Sequence, residues 1–117
     1  MEAFDQATAN WSVAASVFVP LNEKVESFES QPGTGVLVNN PTPEANRNLF
    51  TNMQHADMDL ELDFMMPKGS NSGVYLMGRY EVQLLDSWGV ENPQSSDCGG
   101  IYERWDESRP EGQKGYE

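Results

Sequence analysis

From Asp57 to Met66 the chain alternates through four cycles, with Met58, Leu60, Leu62, Phe64 and Met66 between Asp57, Asp59, Glu61 and Asp63. A period of two sends one set toward a core and the other toward water, which predicts an antiparallel β-strand ended by the turn Pro67-Lys68-Gly69-Ser70. Beyond that turn, Ser72 to Leu85 is rich in β-branched and aromatic residues and predicts a second, longer strand. Gly78 in its middle implies a bulge or bend, because glycine weakens a strand unless the backbone needs freedom or close approach there. Upstream, Trp11 to Val19, Val25 to Glu29 and Val36 to Asn39 read as shorter strands, with Asn40 to Pro43 as a loop. Helix signals are scarce and no internal repeat is present. The pattern therefore predicts an all-β sandwich or jelly roll of antiparallel sheets.

If the second strand runs on through Gly78, Val74, Leu76, Tyr80, Val82 and Leu84 share the core face. Tyr75, Met77, Arg79, Glu81 and Gln83 share the other. A cation, a carboxylate and an amide at successive same-face positions, roughly 6 to 7 Å apart, suit the hydroxyls of a sugar ring. The plainer alternative is a solvated face carrying an Arg–Glu pair. From Ser87 to Glu117 the pattern changes to turn residues, charges and aromatics, with at most a short strand at Gly100 to Arg104. Such a stretch is expected to form a lid or binding surface. Trp88, Tyr102 and Trp105 interleave there with Asp86, Asp97, Glu103 and Asp106, and aromatic faces beside carboxylates are what sugar binding uses. A Trp near a turn also serves simply to anchor a loop.

Composition narrows the functional classes. The 117 residues fit one domain, and 7 Lys+Arg against 19 Asp+Glu give a net charge of −12. Nucleic-acid binding is excluded for want of clustered bases, and an anionic membrane surface is disfavoured for the same reason. The longest apolar run, Val13 to Pro20, is far shorter than the roughly 20 residues of a membrane span. Acids near the N-terminus do not resemble a secretory leader, so the expectation is a cytoplasmic chain or one whose leader has been removed. The single Cys98 cannot form an internal disulfide and reads as a small packing residue.

No cofactor motif is read, and no metal site. The acids of the alternating strand are spread along a line, whereas calcium needs six to eight converging oxygens. One histidine excludes a multi-histidine zinc site. His55, in the loop before the acidic strand, is a candidate general base, set against a plain surface residue. With 19 acids, several carboxylate pairs would meet the spacing of about 5 to 9.5 Å that glycosidases use.

The stretch PKGSNSGVYLMGRYEVQLLDSW, Pro67 to Trp88, closely resembles the 3-keto-disaccharide hydrolase domain family. The resemblance extends to PGTGVLVN (Pro32 to Asn39), NLFT (Asn48 to Thr51), the acidic strand and CGGIYERW (Cys98 to Trp105). It implies a concanavalin- or laminin-G-like jelly roll spanning residues 1–117, acting on or binding sugars, in exported proteins of bacteria. A periplasmic or extracellular location and a small carbohydrate partner follow as expectations, with further domains in the parent protein. Family domains normally continue with further strands, so the domain is expected to be partial, incomplete at its C-terminal end.

The resemblance further implies activity on glycosides oxidised to a ketone at carbon 3. That ketone acidifies the hydrogen on carbon 2, so a base can start an elimination that expels the carbon 1 substituent, with water adding afterwards. On this hypothesis Glu81 is the base or acid and Arg79 stabilises the enolate or a hydroxyl. Asn71, Tyr75 and Gln83 contact sugar, with Asp86, Trp88, Asp97 and Trp105 around them. Ordinary hydrolysis by Glu81 with Asp86 or Asp97 is the alternative mechanism, although strand parity puts Glu81 and Asp86 on opposite faces. The rival functions are a non-catalytic carbohydrate-binding module on the same fold, or a fragment with no assembled sheet.

Overall fold

The computed structural model describes residues 3–5, 7–102 and 108–110. Its strands are β1 (Trp11–Phe18), β2 (Glu29–Asn39), β3 (Asn71–Leu76), β4 (Tyr80–Leu85) and β5 (Ile101–Tyr102). They form a two-stranded sheet, β1-β2, and a three-stranded sheet, β3-β4-β5, with every pairing antiparallel. The all-β class and antiparallel pairing read from the sequence are thus present, consistent with a jelly-roll-like β-sandwich. No helix among the described residues is long and apolar enough to cross a membrane. The chain divides into two compact units, Met1–Met58 and Asp59–Glu117.

In the first unit β1 runs from Trp11 opposite Asn39 to Phe18 opposite Glu29. The register jumps midway: Ala14 faces Val36 but Ser16 faces Gln31, so residues 32–35 all oppose Ala15. This bulge carries β2 through residues 30–35, which the sequence reading leaves between two strands. Pro32 has no N–H to lose in a bulge, and Gly33 and Gly35 take φ of +145° and +123°. A Cβ on Gly33 would stand 2.6 Å from the Ala15 Cβ, so glycine is what lets the strands approach. The expected strand Val25 to Glu29 is therefore corrected, since only its last residue lies in a strand, where β2 begins.

Ala14 and Val38 point to the same side of this sheet and are buried. Asn10 is buried beside them and acts as a polar hub. Its Nδ2 donates to Asn39 Oδ1 at 2.8 Å and to the Arg47 carbonyl at 3.0 Å, while Trp11 Nε1 reaches that carbonyl at 2.7 Å. The connecting segment is thereby tied to β1 without a strand of its own. A bridge between Phe4 and Thr51 holds the N-terminal residues on the same unit.

Two further expectations, the strands Asp57 to Met66 and Ser72 to Leu85, are corrected. Residues 58–66 make no strand ladder, and Met58, Leu60, Leu62, Phe64 and Met65 are all exposed. Alternation specifies which face a strand would bury, but the hydrogen bonds must come from a partner. The long strand Ser72 to Leu85 is instead two strands folded on each other. Leu76 accepts from the Arg79 N–H at 3.1 Å, and Met77 and Gly78 between them have φ of +54° and +62°. Positive φ at both central positions is the combination of a type I′ turn, whose twist suits a hairpin.

Candidate functional site

The hairpin places side chains that the sequence separates. Tyr75 pairs with Glu81, which pairs in turn with Tyr102 of β5, so the three stand in one row across the sheet. Directly opposed residues in antiparallel strands share a face, with Cβ atoms about 4.5 to 5.5 Å apart. The Tyr75 hydroxyl donates to Glu81 Oε2 at 2.9 Å. That hydrogen bond, followed by desolvation and the carboxylate's charge, pushes the Tyr75 phenol above its ordinary pKa.

Glu81 does not stand straight off its strand. Its carboxylate lies over Gly73, diagonally across on β3, where the absence of a side chain leaves room. A Cβ on Gly73 would overlap Oε1 and stand 2.7 Å from both Cγ and Cδ of Glu81. Bare backbone, a carboxylate and two phenol rings thus occupy adjacent positions on one face.

Gln83, next on the same face, has a different setting. It is 4% exposed, and its Nε2 donates to the Ser96 carbonyl at 3.2 Å. Its backbone receives the Gly99 N–H at 2.8 Å and donates to the Gly100 carbonyl at 2.9 Å. The side chain and backbone together brace the loop between β4 and β5. Asn71 begins β3 on the same face and is exposed, four residues and roughly 13 Å of strand from Tyr75. Arg79 lies in the exposed turn rather than on a strand, two residues before Glu81.

Asp86 and Asp97 serve turns. Asp86 Oδ2 accepts the Gly69 N–H at 2.7 Å, fastening the turn before β3 to the end of β4. Asp97 Oδ2 accepts the Gln94 N–H at 2.7 Å within its own turn. Trp88 is the opposite case, 97% exposed. It occupies the corner of a turn closed by the Val90 N–H to the Ser87 carbonyl at 3.1 Å, with Gly89 at φ +82°. That is the type II arrangement, which displays its second residue outward. Trp105, with Glu103, Arg104 and Asp106, lies outside the described residues.

His55 belongs to the first unit. Its Nδ1 lies 2.9 Å from the Ala56 carbonyl, which can only accept, so Nδ1 is the donor of that contact. Among the described residues no group of three or more His, Cys, Asp or Glu converges as a metal site would.

One member of the site, Gly73, was missed in the sequence, and Tyr102, named there among the aromatics of the tail, was not placed beside Glu81. Gly73 carried a usable signal, an interior strand glycine, which marks close approach by another group. For the pairing of Tyr102 with Glu81 there was none, because it depends on the β4-β5 register. The arrangement offers a carboxylate able to take a proton, beside a phenol able to pass one on.

The family model of the 3-keto-alpha-glucoside-1,2-lyase-like domain matches residues 3–116, nearly the whole chain. No curated protein and no solved structure matches it. With a match of that extent, and with the NSGVYL and GRYEVQLLDS segments forming the two strands that carry the carboxylate–phenol pair, the chain belongs to the 3-keto-alpha-glucoside-1,2-lyase-like domain family.

Proposed function

We propose that this domain cleaves glycosides bearing a ketone at carbon 3, with Glu81 as the base. The reading draws its substrate class from the family. The observation that carries it in this chain is the Glu81 carboxylate, hydrogen-bonded by Tyr75 at 2.9 Å on a strand face. Glu81 takes the hydrogen from carbon 2 as a proton, and the C–H electron pair moves toward the ketone to give an enolate. The enolate then reforms the ketone, a double bond forms between carbons 1 and 2, and the bond from carbon 1 to the glycosidic oxygen breaks with its pair on oxygen. Tyr75 hands its own proton to that oxygen and is recharged with the carbon 2 proton from Glu81, so both side chains return to their starting state.

The products are an unsaturated keto-sugar and a free alcohol, the outcome of a lyase. Water adding across the new double bond would make the net reaction a hydrolysis. Arg79, two residues before Glu81, is the cation this reading assigns to the enolate oxygen. Trp88 offers a flat face for the sugar ring. The same reading takes a small carbohydrate as the partner and an exported setting as the place of action.

A second reading, sugar binding without cleavage, is favoured by the 97% exposure of Trp88. The test is incubation of a 3-keto-disaccharide and its unoxidised parent with the wild-type chain, Glu81→Gln and His55→Gln. Ketone-dependent cleavage lost in Glu81→Gln and kept in His55→Gln is the expected result. Loss in His55→Gln alone would move the base to His55, and binding without cleavage would favour the second reading.

A further inference from the structure

The Glu81 carboxylate has to be held in one place for its two oxygens to do different work. A half-buried glutamate on a strand still has several rotamers open to it, and nothing about Glu81 in the sequence restrains it. In the structure two features do. Tyr75 fixes Oε2 by its hydrogen bond, and the side chain lies down across the neighbouring strand onto Gly73. Gly73 is in regular β3 pairing opposite Gln83, and its φ is not among the positive ones, so no turn or strained backbone asks for glycine there. The space itself is what the position supplies. Any other residue would put a Cβ where the Glu81 carboxylate lies, with Cγ and Cδ each 2.7 Å from it.

We propose that Gly73 is a positioning residue for Glu81, a bare site on β3 that seats the carboxylate so that Oε2 meets Tyr75 while Oε1 faces the substrate. The proposal rests on the reading of Glu81 as the base. It assigns Gly73 no contact with the sugar. A Cβ at position 73 lifts the carboxylate off β3, breaks its bond to Tyr75 and leaves the sheet hydrogen bonds in place, since alanine keeps the backbone N–H and carbonyl.

The test combines two readouts, one independent of activity. In the native chain, nuclear Overhauser contacts between the Glu81 γ protons and the Gly73 α protons are expected, and their absence overturns the proposal even if every variant misfolds. Tyrosine labelled with 13C at the ζ carbon then follows the Tyr75 titration apart from the other three tyrosines. Gly73→Ala is expected to lower the Tyr75 midpoint toward the ordinary tyrosine value, as Glu81→Gln does, and to add nothing in the Glu81→Gln background. With a 3-keto-disaccharide, kcat should fall about 100-fold with KM little changed, the size of effect a displacement of about 1 Å produces. Folded Gly73→Ala with wild-type Tyr75 titration and wild-type kcat contradicts the proposal. A shifted titration in a chain that never cleaves a ketone supports the seating of Glu81 by Gly73 and refutes the catalytic reading instead.

Discussion

Gln83 separates a structural role from a ligand-binding one, because the sequence places it among sugar contacts and the structure spends its amide on a loop. The perturbation is Gln83→Ala. The side chain is 4% exposed and donates one hydrogen bond, to the Ser96 carbonyl at 3.2 Å. Losing a neutral hydrogen bond of this kind costs about 1 kcal/mol net. Ser96 is exposed, so its carbonyl regains water and adds no penalty for an unsatisfied group. Truncation also removes a buried methylene, about 0.8 kcal/mol. The total is about 2 kcal/mol, which lowers Tm by about 10 °C in a domain near 100 residues. Backbone bonds from residue 83 to Gly99 and Gly100 survive the change, so the loop stays attached but exchanges its amide hydrogens faster. Thermal melts by circular dichroism, hydrogen exchange over residues 94–100 and sugar binding well below Tm form the assay. Unchanged Tm together with a tenfold loss of affinity would refute the reasoning and return Gln83 to the ligand.

Met77→Asn should stabilise the chain by about 0.5 to 1 kcal/mol in urea melts, because Met77 holds φ +54°, a region that disfavours methionine and tolerates asparagine. Its side chain is 58% exposed, so little burial is lost. Trp88→Ala should leave Tm unchanged while weakening sugar binding by about 1 kcal/mol, about fivefold in Kd by titration calorimetry. The bond from Tyr75 to Glu81 raises the Tyr75 pKa, so the folded state holds that proton more tightly than the unfolded one. Its contribution to stability is complete below about pH 10 and is lost as pH rises through the raised value. Denaturation from pH 8 to 11 should therefore show the difference between wild type and Tyr75→Phe constant at first and shrinking at the alkaline end.

What the sequence made legible was local. Alternation and β-branched content identified β1 and the residues of β3 and β4, and parity correctly put Tyr75, Glu81 and Gln83 on one face. Parity is preserved by the hairpin, but distance is not. Along a continuous strand Tyr75 and Glu81 would be six residues and roughly 20 Å apart. The turn makes them direct partners. It was hard to see because Met77-Gly78 lacks the Asn-Gly or Asp-Gly signature, and methionine at positive φ is not read from propensity.

The opposite error occurred at Pro32 to Gly35, left between two expected strands, where β2 instead continues through a bulge. For residues 58–66 the pattern was sound, but pairing depends on a partner strand that a local pattern does not supply. The family resemblance, carried by specific segments, proved the most informative signal, since it named the family that the match over residues 3–116 shows.

The central claim is that Glu81 removes the hydrogen on carbon 2 of a 3-keto sugar. The most direct measurement compares turnover of a 3-keto-disaccharide carrying hydrogen or deuterium at carbon 2, by wild type and Glu81→Gln. The account predicts slower turnover of the deuterated sugar by wild type and no turnover by the folded variant. Equal turnover of the two sugars, with no solvent hydrogen entering carbon 2 of recovered substrate and with activity kept in Glu81→Gln, would contradict it.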